Sequence, residues 1–317
     1  GAIFLAATMV MCFMPSMAFA TDSAATPVSD AASFVTAVNN GGSITLTSNV
    51  TLTAENTCTG FNNVRTSTTA SNSVLLTKPM TIDLAGHTLT GTIIVYGGSL
   101  TVTDSSNTGK IVGTGAAIKV FGDLTPDHSA TTIHSSVTIE SGNIVGGNGG
   151  VYVFGQGANL TVNGGSIEGT DNAAVMGNGT KNTSENDGGY SITVNGGTLT
   201  GKTTSEGYKN CGLYHPNGGD VVINGGTITG TTGAGIVVRG GNLTVNAGTI
   251  SGNGTGGSDQ KMGDATATDC GGIEIGYATG ANLQSEYPGG IGTIAIKGGT
   301  ISSQNATAIK VYGAAAA

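Results

Sequence analysis

The sequence predicts an all-β fold, a parallel β-helix of about nine coils with a short N-terminal capping helix. Three observations predict it. First, a ten-residue phrase recurs. It reads LTVNGGSIEG at Leu160–Gly169, ITVNGGTLTG at Ile192–Gly201, VVINGGTITG at Val221–Gly230 and LTVNAGTISG at Leu243–Gly252. Second, a Gly-x-apolar-x-apolar phrase follows a few residues later, as at Gly149–Gly155 and Ala234–Gly240. Third, Gly is abundant, at 56 of 317 residues, and charged residues are scarce, at 9% against a usual value of about 25%. Stacked like charges repel, so low charge suits a ladder of like residues.

The phrase has a physical reading. Its first three residues alternate apolar, polar, apolar, the period of a strand with one face buried. Asn-Gly-Gly then turns the chain. A Thr or Ser, an apolar residue, a variable residue and Gly make a second short strand and turn. The Gly-x-apolar-x-apolar phrase makes a third. A coil this short cannot bury a face alone and must stack on its neighbours. Rungs would lie about 4.8 Å apart, with backbone hydrogen bonds running between them.

Ala2–Ala20 is apolar and ends Ala18-Phe19-Ala20, a small-residue cleavage pattern. Residues 1–20 therefore read as the end of a signal peptide rather than a membrane anchor, and the mature chain is expected to carry no transmembrane segment. Cys12 follows Met11, so it lacks the small preceding residue that a lipid-anchor signal needs. Residues 21–29 read as a polar leader and 30–317 as one β-helix domain cut short at its C-terminus. Asp30–Asn40 reads as one helix, with Ser29 or Asp30 as N-cap and Phe34, Val35 and Val38 on its apolar side. It would plug the open first rung. Ile44–Leu46 reads as the first strand, and Val50–Leu52 and Val74–Leu76 complete the entry rungs, with Ala54–Ser73 as a loop.

The opening SFVTAVNNGGSITLTSNVTLT, the TIDLAGHTLTG that follows and the serial NGGTITG coils resemble right-handed parallel β-helix proteins of the pectate-lyase-like superfamily. More narrowly, they resemble its Gly/Thr/Asn-rich bacterial secreted and cell-surface members. The resemblance spans about 30–313. It implies a secreted, extracellular location, and it implies that Asn163, Asn195, Asn224 and Asn246 form a structural asparagine ladder. It leaves activity open, since that superfamily holds lyases, hydrolases, tailspikes, adhesins and stalks.

Several motifs look chemical and are better read as products of the repeat. Gly196–Thr203 (GGTLTGKT) matches a phosphate-binding loop, but no helical pattern follows it. Gly252–Gly257 matches G-x-G-x-x-G without the strand and helix that motif needs. The post-leader cysteines, Cys58, Cys211 and Cys270, are odd in number. Cys211 and Cys270 lie two rungs apart, about 9.6 Å, beyond disulfide reach. Neither the four His residues nor Asp259, Asp264 and Asp269 have the spacing of a metal site, so no metal and no cofactor is expected. The net charge of −8 and the lack of basic clusters argue against nucleic acid.

Glycoside hydrolysis needs two carboxyls about 5–10 Å apart. The repeat-borne acids Asp83, Glu140, Glu168 and Glu274 are read as occupying four different coil positions, with none stacked on another. The signatures of polygalacturonases and pectate lyases are absent, and the chain has no Trp. Catalysis by a lyase or hydrolase is the alternative function; the favoured one is a stalk or adhesin.

Outward residues of the third strand should form two columns. One holds Lys119, Tyr152, Met176, Tyr214, Val237, Glu274 and Lys310. The other holds Phe121, Phe154, Asn178, Pro216, Arg239, Gly276 and Tyr312. Tyr152, Phe154, Tyr214, Arg239 and Glu274 are the candidate ligand-binding residues, for a polysaccharide or a host or cell-surface glycan. The competing expectation is that loops pack over these rings as satellite core.

Overall fold

The computed structural model describes residues 24–59, 69–122, 133–177, 189–202, 211–216, 218–253, 271–276 and 290–311. The N-terminal stretch 1–23, Cys12, Cys270, Asn178, Tyr312 and most of the insertion 253–269 lie outside these residues, as do the features expected there. The described chain is a parallel β-helix. Its first sheet has ten strands, from Thr26–Val28 to Ile291–Ile296. The second has nine, from Val50–Thr51 to Thr300–Ser303, and the third has nine, from Ser73–Leu76 to Ile309–Val311. Each sheet takes one strand from each of nine successive coils, the first coil opening with Gly42–Leu46.

Alternation in the sequence sets which residues turn inward. In the first sheet Val102, Ile139, Val162, Val194, Ile223 and Val245 stack in register. In the second, Leu89, Ile111, Ile144, Ile167, Leu199, Ile228 and Ile250 do so. In the third, Ile93, Ile118, Val151, Val175, Leu213, Ile236 and Ile273 do so. All are fully buried and join one continuous core. Burying each such side chain is worth about 1.5–3 kcal/mol, and the β-branched shapes suit a pleated ladder.

The Asn-Gly-Gly turns explain their own composition. The second glycine takes a left-handed backbone, with φ of 70° at Gly165, 77° at Gly197 and 80° at Gly226. An L side chain is strained there.

The helix spans Ala31–Asn40. Asp30 caps it, accepting from the Ser33 backbone at 2.8 Å, while the Ser33 hydroxyl is the partner of the Asp30 backbone at 3.2 Å. The Ser33 backbone N–H and then the Ser33 hydroxyl, both donating to the Asp30 carboxylate, hold that carboxyl below its usual pKa. Phe34, Ala37 and Val38 are buried and Val35 is partly so, so the helix does close the first rung.

Two expectations need correction. The leader is not wholly outside the fold: Thr26–Val28 pairs in parallel with the first-coil strand, placing Val28 in the core. The stretch read as a loop at 54–73 contains a hairpin, Thr57–Thr59 against Thr69–Ser71. No helix among the described residues is long and apolar enough to cross a membrane.

Candidate functional site

The third-strand column forms as the alternation predicts. Ile94, Lys119, Tyr152, Met176, Tyr214, Val237, Glu274 and Lys310 stack in register. Phe121 stacks on Phe154, edge to face, with ring centroids 5.9 Å apart.

This face is closed, however. Phe154 is 2% exposed, Tyr214 4%, Glu274 1% and Arg239 0%. Tyr152 alone of the five candidates is partly exposed. The expected open aromatic face is therefore corrected to satellite core. The physical reason is visible in the column itself, since Ile94, Met176 and Val237 are apolar residues on an outer face and must be covered. One cluster joins Met176, Tyr214 and Val237 with Ala173, Cys211 and Ala234. A second joins Phe121, Phe154 and Ile94 with Cys58 and Ala70 of the hairpin.

The charged residues of the face are buried with it. Arg239 Nη2 lies 3.8 Å from Glu274 Oε2, and Arg239 Nη1 donates to the Gly276 carbonyl at 2.5 Å. Burial lowers the Lys119 pKa, which the nearby Cys58 partly opposes. Burial likewise raises the Cys58 thiol, so it is a poor nucleophile. Cys58 is a free, buried thiol, and Cys211 is fully buried.

Asp83 pairs with Thr103 in the first sheet, and Glu140 directly follows the strand Ser135–Ile139. Both carboxylates are engaged locally. Asp83 accepts from the Ala85 and Ser105 backbones, each at 2.9 Å. Burial opposes its ionisation, but these bonds prevail and its pKa is lowered. Glu140 accepts from Asn163 at 2.9 Å, and Glu168 pairs with Lys202 at 2.7 Å. Buried Asp104 accepts from the Gly86 and Gly109 backbones at 2.8 and 2.6 Å, tying two rungs together. Among the described residues, no group of three His, Cys, Asp or Glu side chains is placed to hold a metal ion.

The four asparagines form a chain of side-chain hydrogen bonds. Asn195 donates to Asn163 at 2.8 Å, Asn224 to Asn195 at 2.8 Å and Asn246 to Asn224 at 2.7 Å. The chain lies on the exposed surface, at the turn between the first and second sheets. Beside it runs a column of Thr81, Thr101, Thr138, Thr161 and Thr193. The second sheet adds Thr198, Thr227, Thr249 and Thr300 in one column and Thr200, Thr229, Ser251 and Ser302 in the next.

One polar constellation escapes the sequence reading. The Tyr190 hydroxyl and His215 Nδ1 lie 2.7 Å apart, with the rings edge to face at 5.5 Å. Both are inside the solenoid, 1% and 0% exposed. Burial pushes His215 down to about 4, against weaker opposing pulls from the Asn242 and Gly219 backbones and the Asp220 carboxylate. The ring is therefore neutral, and its Nε2 has no partner in hydrogen-bond geometry. The available signal was a break in pattern, with Gly177 and His215 standing where the neighbouring coils have Val.

Comparison with protein-family models, with curated proteins and with solved structures finds no match to this chain.

Proposed function

We propose that this chain is a secreted or surface-displayed structural β-helix, a stalk or adhesin. The observation that carries the proposal is the division of its surface. Aromatic and charged side chains of the third sheet are largely buried, while the first two sheets present runs of Thr and Ser several coils long, Thr81 to Thr193 in the first and Thr198 to Thr300 in the second. Such runs repeat one chemistry over several successive coils, as suits a spacer or an extended contact surface. Fold alone does not select a function, so the argument rests on these faces. A glycan partner on this reading meets the hydroxyl columns rather than Tyr214 or Arg239.

Antibody labelling of intact cells, with and without protease shaving, tests the display. Signal on intact cells that shaving removes supports it, and a purely intracellular protein overturns it. A glycan array tests the contact surface: loss of binding in Thr138→Ala/Thr161→Ala/Thr193→Ala assigns it to the first sheet.

The second reading, a polysaccharide lyase or hydrolase, rests on the juxtaposed Arg239 and Glu274. Release of uronate from pectin-like polymers, abolished by Arg239→Ala or Glu274→Ala in a chain that still folds, would establish it.

A further inference from the structure

A solenoid built from near-identical phrases has a register problem. The inward Val/Ile columns, the Thr columns and the Asn chain repeat from rung to rung. A coil that docks on the wrong neighbour, with one coil looped out, still matches all three. Something must make one stacking order unique.

The third sheet carries one irregular inward column. It runs Val95, Val120, Val153, Gly177, His215, Val238 and Ile275 through successive coils. Gly177 ends the third strand of the fifth coil, and Tyr190 opens the sixth, which His215 closes. The Tyr190 phenol reaches into the space a side chain at 177 would fill: a Cβ there would stand 2.2 Å from the phenol oxygen. From that place the hydroxyl meets His215 Nδ1.

We propose that Gly177, Tyr190 and His215 form a stacking key that lets the sixth coil dock only on the fifth. With the fourth coil beneath it, Val153 would take the place of Gly177 and collide with the phenol. The valines of the second and third coils would do the same. Displacing Tyr190 would in turn leave the His215 ring buried without its one hydrogen bond, which makes each wrong register costly twice. The key therefore sits where a slip would be least visible to the rest of the repeat, between the LTVNGG and ITVNGG phrases.

Cysteine pairs on the outer face of the first sheet read the register directly. Thr161 and Thr193 are direct neighbours across the fifth and sixth coils. Thr138 and Thr193 are two rungs apart, about 9.6 Å, beyond the reach of a disulfide. Each pair, Thr161→Cys/Thr193→Cys or Thr138→Cys/Thr193→Cys, is placed in the otherwise natural chain and in a keyless chain carrying Gly177→Val, Tyr190→Ala and His215→Val. The proteins are unfolded, refolded and oxidised, and the disulfides are mapped by mass spectrometry. In the keyed chain only the first pair should close. In the keyless chain the second should close in at least a tenth of the molecules. A keyless chain that excludes the second pair as fully as the keyed one overturns the proposal.

If the keyless chain does not refold, the steric half of the key is tested alone. Gly177→Ala should lower refolding yield severalfold, and adding Tyr190→Ala should restore it. Absence of restoration overturns the proposal.

Discussion

The amide of Asn163 donates to the carboxylate of Glu140, and this one bond orients the whole asparagine chain. Each later asparagine donates toward the N-terminal end and accepts from the next, so the amide dipoles align. Their positive end meets the Glu140 carboxylate. At the other end Lys297 follows Asn246, as the pairing of Val245 with Ile296 requires. The charges at the two ends complement the row of dipoles, as charges do at helix termini.

Asn195 sits mid-chain, so Asn195→Ala removes two amide–amide bonds. These are exposed, and the expected loss is about 1 kcal/mol, read from urea unfolding. Asn195→Asp should cost more, because a carboxylate then faces the Asn163 oxygen. Glu140→Gln keeps the bond but loses the terminal charge and should cost only a few tenths of a kcal/mol, vanishing at high salt.

His215 gives the protein an acid limb. Its folded pKa is below its unfolded value, so the unfolded chain takes up the proton first. The stabilisation is full above about pH 6.5 and is lost as pH falls toward about 4, amounting to roughly 3 kcal/mol. Denaturant midpoints measured across this window should fall in the natural chain. In His215→Val that part of the slope should be absent. Loss of the Asp30 cap and of the Asp83 bonds follows only at lower pH, because their folded pKa values are themselves lowered.

The capping helix should behave as part of the core. Phe34 is fully buried, and Phe34→Ala should cost about 3–5 kcal/mol. Asp30→Ala removes only the cap and should cost about 1 kcal/mol. Hydrogen exchange should place the loss in the first coils, since each coil touches only its neighbours.

Arg239 and Glu274 are a buried pair. Glu274→Ala leaves a buried guanidinium short of its counter-charge and should cost about 3–5 kcal/mol. Arg239→Met/Glu274→Leu should be far milder. If both variants instead fold like the natural chain, the pair contributes nothing to stability.

Much of the fold was legible because a strand writes its period into the sequence. The inward columns through Ile144 and Ile167, the Asp30 cap and the outer column through Tyr152 and Tyr214 follow from alternation and turn chemistry alone. The burial of Tyr214 and Phe154 does not, because it depends on what lies over the third sheet. Part of the cover over Phe154 is Cys58 and Ala70, from a hairpin 84 to 96 residues earlier in the chain. Tyr190 and His215 belong to different phrases, and only the packing of a corner brings them together.

The rung-to-rung pairing has a mechanical consequence. Its hydrogen bonds run along the solenoid axis, so an end-to-end pull loads them in tension, one coil interface at a time. The coils would then open in sequence rather than all together. The coil from Gly219 to Val238, once opened, would release a chain of roughly 65–70 Å. A tether of this kind lengthens in discrete steps under load, and each step leaves the remaining coils stacked.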